Sequence, residues 1–198
     1  MTQLTVYRMP ADGSGHGEVE STTRAYDEIA DRLGSIGVRF ARWPLAGELP
    51  ADADGDAVLE RYQEPLQALC DEGGYRSMDV VRMWPDHPQR EAARQKFLQE
   101  HTHAEDEVRF FVEGSGLFSL HVGDRVHEIL CEAGDLIGVP AGTPHWFDMG
   151  EAPRFTAIRL FTNPDGWVAS FTGSDVADRF PRFDEVVGKA AEPARDGR

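Results

Sequence analysis

Short apolar runs separated by glycine turns fill the second half of the chain, and this pattern constrains the fold more than any other feature. Val, Phe, Ile and Leu are concentrated from Glu107 onward. Glycine-containing turns separate the runs at Glu113–Gly116, Val122–Arg125 and Ala133–Asp135. Short apolar runs joined by glycine-containing turns are typical of antiparallel hairpins, and Gly123-Asp124 has the composition of a two-residue hairpin turn. We therefore expect a mainly β domain built as a closed or sandwiched antiparallel barrel.

The first half of the chain has helical patterns instead, so we expect an α+β domain with N-terminal helices packed outside the barrel. The helical segments are Thr23–Leu33, Ala57–Leu69 and Gln89–Leu98, and Arg154–Phe161 adds a strand. Pro65 should kink or shorten the second helix, because proline removes a backbone donor. Asn163-Pro164 favours a short helix ending at Trp167. Apolar periodicity stops after Val187, so we predict one domain over 1–187 and a flexible tail over 188–198.

Acidic residues dominate the charge of the chain. There are 20 Lys and Arg against 35 Asp and Glu, which gives a net charge of −15. A surface of this sign repels phosphate backbones and anionic lipid, so we exclude nucleic-acid and membrane-surface binding as main functions and expect a monomer. The first residues have neither a basic nor an apolar targeting region, and Cys70 and Cys131 have no CxxC spacing. We expect a cytoplasmic protein with two reduced thiols.

Three histidines and a glutamate have the spacing of a metal site. His101, His103 and Glu107 are separated by even offsets, so on one extended strand their side chains leave the same face. His145 follows a stretch with two prolines and a glycine, 140–144, and a restrained turn loses little entropy when its imidazole binds. Three imidazoles and one carboxylate suit iron(II), nickel(II), manganese(II) or cobalt(II). The other histidines, His16, His87, His121 and His127, are expected in loops or on outer strand faces.

Two segments around these residues resemble the two motifs of the cupin superfamily. The first is His101-Thr-His103-Ala-Glu-Asp-Glu107 followed by Gly114, and the second is Gly134-Asp-Leu-Ile-Gly-Val-Pro-Ala-Gly-Thr-Pro-His145. The chain departs from the general pattern where no glycine precedes His101 at the usual spacing and where Met149 replaces an asparagine. Neither departure removes a ligand. The resemblance implies a cupin-type double-stranded β-helix, or jelly-roll barrel, whose two motifs contribute the metal ligands.

A longer match is formed by three segments: HTHAEDEVRFFVEG from His101, VPAGTPHWFDM from Val139, and Ile158–Phe161. Together these segments resemble the acireductone dioxygenase family. The resemblance implies that His101, His103, Glu107 and His145 ligate one Fe(II) or Ni(II) per chain. It also implies a small-molecule acireductone, 1,2-dihydroxy-5-(methylthio)pent-1-en-3-one, and O2 as substrates in methionine salvage. Similar enzymes give 4-methylthio-2-oxobutanoate and formate with iron, or 3-methylthiopropanoate, formate and CO with nickel. The sequence does not select between the metals.

Arg109 is the residue that the resemblance assigns to substrate orientation. It lies two residues after Glu107, so strand parity places its guanidinium on the ligand side, where a permanent cation favours an anion. The alternative is a surface arginine paired with one of the many acids.

Five further residues are weaker candidates for the site. Arg159, Phe97 and Trp167 are predicted to touch substrate. Glu100 and Asp106 are predicted either to hydrogen-bond the ligand imidazoles or to be solvated acids.

Two other functions stay open from the residues themselves. A cupin isomerase acting on a sugar would use the same ligands, but its pocket should offer several hydroxyl, amide and lysine donors. The other alternative is a cupin that binds a small ligand or metal without turnover. Oxygen consumption with an acireductone by the metal-loaded protein separates the dioxygenase from both.

Overall fold

The computed structural model describes residues 1–10, 15–50, 52–163 and 168–191. The strands are β1 (Gln3–Arg8), β2 (Glu18–Thr23), β3 (Arg39–Arg42), β4 (Ser77–Met83), β5 (His101–Thr102), β6 (Glu107–Val122), β7 (Arg125–Glu132), β8 (Asp135–Val139), β9 (His145–Asp148), β10 (Phe155–Phe161) and β11 (Ser170–Phe171). The helices are α1 (Tyr26–Gly34), α2 (Gly55–Arg61), α3 (Gln63–Gly73), α4 (Arg90–Phe97), a 3-10 turn (Val176–Arg179) and α5 (Phe183–Ala191).

One long strand, β6, belongs to two antiparallel sheets. Its second half lies in sheet A, which has the order β11-β5-β9-β6-β7-β1-β2. Its first half lies in sheet B, between β8 and β10, with β3 and β4 at the edges. The prediction of an antiparallel β domain is confirmed in its sandwiched form, because the pairing of the described strands does not close into a ring.

Glycines allow β6 to pass from one sheet to the other. Gly114 has a φ of +69°, and a Cβ there would lie 1.7 Å from the carbonyl oxygen of Arg154. At Gly116 a Cβ would lie 2.4 Å from the ring of Phe147. Side chains are therefore excluded where the strand turns.

The main core lies between the two sheets, because strand residues alternate between the inner and outer faces. Phe111, Phe118 and Phe147 are among the buried residues of this core. On the outer face of sheet B, α2 and α3 cover a second cluster that includes Phe110 and Ile158. On the outer face of sheet A, the 3-10 turn and α5 cover two smaller clusters. The prediction of N-terminal helices outside the β structure is confirmed.

The helix boundaries differ from the sequence-based expectation in three places. Residue 23 ends β2, and α1 begins at Tyr26. The segment predicted as one helix forms α2 and α3, divided at Tyr62, with Pro65 in the first turn of α3, where its missing N–H is tolerated. Helix α5 extends to Ala191 and so runs into the segment predicted as a tail; residues 192–198 lie outside the described ranges.

The turn between β6 and β7 and the character of the helices were also considered from the sequence. Val122 pairs with Arg125 around Gly123, whose φ is +64°, so a two-residue turn joins β6 to β7 as predicted. No helix within the described ranges is long and apolar enough to cross a membrane.

Candidate metal centre

Four buried side chains meet at one opening of the sandwich. They are His101, His103, Glu107 and His145, and one ligand atom of each lies within 4.8 Å of those of the others. Each residue is at most 7% exposed. A cavity of about 330 Å³ opens onto them.

Both sheets contribute to this cluster. In sheet A, His101 on β5 lies directly opposite His145 on β9. Glu107 begins the part of β6 that pairs with β8 in sheet B. The premise that His101 to Glu107 forms one extended strand was wrong, because 103–106 lie outside any strand and the chain bends at Ala104 and Glu105. The side chains converge because this bend carries the chain from one sheet to the other.

Backbone carbonyls orient all three imidazoles. The Nδ1 atom of His101 lies 2.6 Å from the Gln99 carbonyl oxygen, and that of His145 lies 2.8 Å from that of Thr143. The Nδ1 atom of His103 lies 3.2 Å from the Val168 carbonyl oxygen. A carbonyl only accepts, so Nδ1 carries the proton and Nε2 keeps its lone pair for a ligand. The Nε2 atoms of His145 and His103 lie 2.9 and 3.2 Å from Oε2 of Glu107.

The turn before His145 is held at several points, as its composition predicted. Gly142 has a φ of +76° and donates its N–H to the carbonyl of His103 at 2.9 Å. The N–H of His121 donates to the carbonyl of Pro144 at 2.8 Å. The imidazole of His145 is therefore placed by the backbone before any ligand binds.

Glu107 and Arg109 form an ion pair inside the cavity. Nη2 of Arg109 donates to Oε1 of Glu107 at 2.7 Å, and the guanidinium lies over the rings of Phe118 and Phe147, 5.0 and 4.6 Å from their centroids. Burial acts to raise the pKa of Glu107, but Arg109 and the two histidines hold that pKa well below its usual range. The prediction that Arg109 points to the ligand side is confirmed by this contact.

The two histidines of sheet A have pKa values shifted in opposite directions. Burial, reinforced by the charge of His145, lowers the pKa of His101 to about 4. Burial also acts to lower the pKa of His145, but the hydrogen bond and negative charge of Glu107 outweigh it and raise that pKa. His101 is thus a neutral imidazole, the form that binds metals, over most of the accessible pH range.

Phe97 and Arg159, two of the predicted substrate residues, line the cavity. Arg159 also forms a two-pronged pair with Asp79, with Nε–Oδ1 at 2.8 Å and Nη2–Oδ2 at 2.5 Å. Trp167, the third, lies outside the described residues. The cavity is also lined by Ala93, Lys96, Phe147 and Ala169. Lys96 was missed because a single exposed lysine on a helix has no distinguishing sequence signal.

Glu100 and Asp106 have other partners than the ligand imidazoles, so their predicted role was wrong. Glu100 binds Nδ1 of His121 at 2.8 Å and the hydroxyl of Thr172 at 2.6 Å. Asp106 accepts the N–H of Ala141 at 2.9 Å and so secures the turn that leads to His145. Backbone carbonyls take the role that was expected of these carboxylates.

A two-sheet antiparallel fold in which three imidazoles and one carboxylate are buried together defines a cupin with a candidate metal site. Comparison with known proteins narrows this class. The profile of the ARD/ARD' family matches residues 7–169. The acireductone dioxygenase of Cronobacter sakazakii is 54% identical over 183 residues, which cover 92% of this chain and 99% of that protein. The chain belongs to the acireductone dioxygenase family, whose members are oxidoreductases.

Two further relatives agree with this assignment. The acireductone dioxygenase of Enterobacter sp. is 58% identical over 156 residues, 79% of this chain and 87% of that protein. The solved structure of acireductone dioxygenase from Bacillus anthracis, with a cadmium ion in its active center, superposes with a TM-score of 0.72 at 25% identity. That likeness covers 86% of this chain and 98% of the other, and it confirms the predicted cupin fold.

Proposed function

We propose that the chain binds one divalent metal ion, iron(II) or nickel(II), through His101, His103, Glu107 and His145, and cleaves an acireductone with O2. The observation that carries the proposal is the convergence of four buried donors within 4.8 Å. The carbonyl contacts to the three Nδ1 atoms support it, because they leave Nε2 of each imidazole as the donor.

The donor set fits iron(II) and nickel(II) in chemical type. Imidazole nitrogen suits both metals, and one carboxylate oxygen adds a harder ligand and a negative charge. Four protein ligands would hold the ion at the end of the cavity, where a substrate could reach it. When bound, the metal would supply Lewis acidity and a template for substrate and O2.

The substrate that we propose is 1,2-dihydroxy-5-(methylthio)pent-1-en-3-one. Its enediol and ketone oxygens belong at the polar end of the cavity, beside Arg109 and the histidines. Its thioether tail fits the apolar wall formed by Ala93, Phe97, Phe147 and Ala169, where sulfur can contact aromatic rings.

Arg109 stabilises the deprotonated enediol in this proposal. It is 4% exposed, and Glu107 and two aromatic rings fix its guanidinium. A fixed cation in a water-poor site stabilises an anion without reorganising solvent. The electron-rich enediolate is the species that reduces O2.

Both atoms of O2 enter the products, so the reaction needs no external reductant. With iron(II) we expect 4-methylthio-2-oxobutanoate and formate. With nickel(II) we expect 3-methylthiopropanoate, formate and carbon monoxide. Because His101, His103, Glu107 and His145 would hold either ion, the difference in products would depend on the metal rather than on a change of protein ligands.

The cavity lining favours this reaction over sugar isomerisation. Among the described lining residues there is one lysine and no hydroxyl or amide side chain, whereas a polyol requires several such donors. A cupin that binds without turnover has the same lining, and only an activity assay separates it from the dioxygenase.

The decisive experiment is reconstitution of metal-free protein with iron(II) or nickel(II), followed by O2 uptake and product analysis. We expect turnover with each metal and release of carbon monoxide only with nickel. Metal-free protein is the matched control. Metal binding without O2 uptake would instead establish a binding protein, and identical products from both metals would refute the dependence of the products on the metal.

We also propose that the protein works as a monomer in the cytoplasm. The net charge of −15 supports this, because like-charged copies repel one another. Light scattering at micromolar concentration should give the mass of one chain, 22.0 kDa; a mass of twice that value would contradict the proposal.

A further inference from the structure

Helix α4 presents one of its faces to the cavity. Ala93, Lys96 and Phe97 line the cavity, and their spacing of three and four residues places them side by side on one helix face. Lys96 is exposed to solvent, while Ala93 and Phe97 pack against the main core. The side chain of Lys96 therefore borders both the cavity and bulk water.

Two contacts fix α4 at this position. Arg94 forms a two-pronged pair with Asp148 at the end of β9, with oxygen–nitrogen distances of 2.8 and 3.1 Å. The ring of Phe97 packs edge-on against that of Phe147, with centroids 6.2 Å apart. The backbone that carries Lys96 is thus attached to the strand that carries His145.

Lys96 differs from the other cations of the cavity. Arg109 is paired with Glu107, and Arg159 is paired with Asp79. Lys96 has no ion pair with any residue in the described ranges. Within the part of the chain that the structure describes, no carboxylate neutralises its charge.

We propose that Lys96 determines specificity for an anionic substrate by attracting the enediolate into the cavity. This inference rests on the proposed function, because an enediol conjugated to a ketone is a vinylogous acid and is an anion near neutral pH. The chain as a whole carries a charge of −15 and repels such an anion. At physiological ionic strength charges are screened beyond about 8 Å. An exposed cation that lines the cavity then has more influence on an approaching anion than the distant acidic surface.

A structural role for Lys96 predicts different behaviour. The residue lies in the last turn of α4, where a cation interacts favourably with the helix dipole. That role affects stability and leaves substrate binding unchanged.

The first test compares the only two lysines of the chain, Lys96 and Lys189. We expect Lys96→Gln to raise KM for the acireductone about three- to tenfold at low salt, with kcat within a factor of two. Lys189→Gln removes the same charge from α5, on the outer face of sheet A, and should leave both constants unchanged. Lys96→Arg should keep the KM of the wild type. The difference in KM between Lys96→Gln and the wild type should shrink toward zero in 1 M salt. An unchanged KM in Lys96→Gln overturns the proposal.

The second test needs no turnover. Lysine acylation followed by peptide mass spectrometry is carried out on nickel-loaded protein with and without ascorbate, a stable enediolate anion. We expect ascorbate to reduce the acylation of Lys96 and to leave that of Lys189 unchanged. Equal protection of the two lysines, or none, would overturn the proposal. If the wild-type protein does not turn over the acireductone, the proposed function fails while this labelling result still decides the role of Lys96.

Discussion

Glu107 and Glu128 are equally buried, each 2% exposed, and their surroundings make them chemically opposite. Glu107 faces the cavity and contacts Arg109, His103 and His145. Glu128 lies on the outer face of sheet A, and neither of its carboxylate oxygens has a hydrogen-bond partner in the described residues. The pKa of Glu107 is held well below its usual range by its partners, whereas burial raises the pKa of Glu128 to about 8.

The difference shows that partners, rather than burial, decide whether a carboxylate is ionised inside this sandwich. Burial acts to raise the pKa of both residues. Only at Glu107 do a cation and two neighbouring imidazoles outweigh that cost. A buried anion is thus maintained where a metal ion would need one, and a neutral acid is maintained on the opposite face.

The strongest test of this comparison is the same substitution at both positions. Glu107→Gln removes the anionic ligand and leaves Arg109 buried without its partner, so we expect activity to fall on the order of a thousandfold or more. Metal content, measured by atomic emission, should also fall. Glu128→Gln is the matched control and should keep both metal and activity near neutral pH. Full activity in Glu107→Gln would show that the candidate metal centre is wrongly assigned.

Arg109→Met makes the surroundings of Glu107 more like those of Glu128. We expect kcat to fall by roughly two to three decades, because a fixed cation beside the enediolate contributes about 2 to 4 kcal/mol. The protein should still fold and bind metal, and Arg109→Lys should recover only part of the activity, since a point charge lacks the planar two-pronged geometry. Steady-state kinetics at saturating metal measure the effect. Activity within a factor of a few of the parent would contradict it.

The pH dependence of stability tests Glu128 directly. The folded protein holds this proton more tightly than the unfolded chain, because the pKa is raised from 4.5 to about 8. The contribution of Glu128 to the free energy of unfolding should therefore decrease as the pH rises between these two values. Water entering around the ionised group limits the loss, so we expect about 2 to 3 kcal/mol. The buried His101, whose pKa is lowered to about 4, has the opposite pH dependence, so the quantity to measure is the difference in urea unfolding between the wild type and Glu128→Gln or Glu128→Leu at several pH values. That difference should shift against the wild type by this amount as the pH rises from 4.5 to 8. A difference that does not change with pH would refute the raised pKa.

The smallest effect that we expect is the change in the free energy of unfolding when Tyr7, which lies beside Glu128, is substituted. Its own pKa is raised by burial and by the charge of Glu128, although its hydroxyl makes no hydrogen bond of good geometry to either carboxylate oxygen. We expect Tyr7→Phe to cost less than about 1 kcal/mol at pH 6, because a neutral acid needs little stabilisation from a hydroxyl. A loss of 3 kcal/mol in urea unfolding would show that Tyr7 is a true partner and would weaken the contrast with Glu107.

The sequence was sufficient for the features that depend on local pattern. Hairpin turns, the outside position of the helices and the restrained turn before His145 follow from residue type and spacing. The ligand candidates were found by spacing and resemblance, but the geometric reason was incomplete. Even offsets favoured one strand, whereas the bend at 103–106 depends on pairing with two different sheets.

Features that depend on contacts between distant residues were missed. Glu128 and Lys96 have ordinary sequence surroundings, and only the fold places one beneath α5 and the other at the cavity. Glu100 and Asp106 were assigned to the imidazoles because they are neighbours in sequence. Sequence spacing does not fix the direction of a side chain. In the fold, Glu100 contacts His121 and Thr172, and Asp106 contacts Ala141.

The passage of β6 through both sheets also affects how the protein acquires its activity. His101 and His145 belong to sheet A, and Glu107 belongs to sheet B, so the donors come together only after the two sheets have docked. A metal ion held by them would act as a reversible crosslink between the sheets, present in the native state and lost on unfolding. At a free metal concentration of one hundred times Kd, such linkage adds about 2.7 kcal/mol to the free energy of unfolding. Metal supply would then control the lifetime of the folded chain as well as its chemistry.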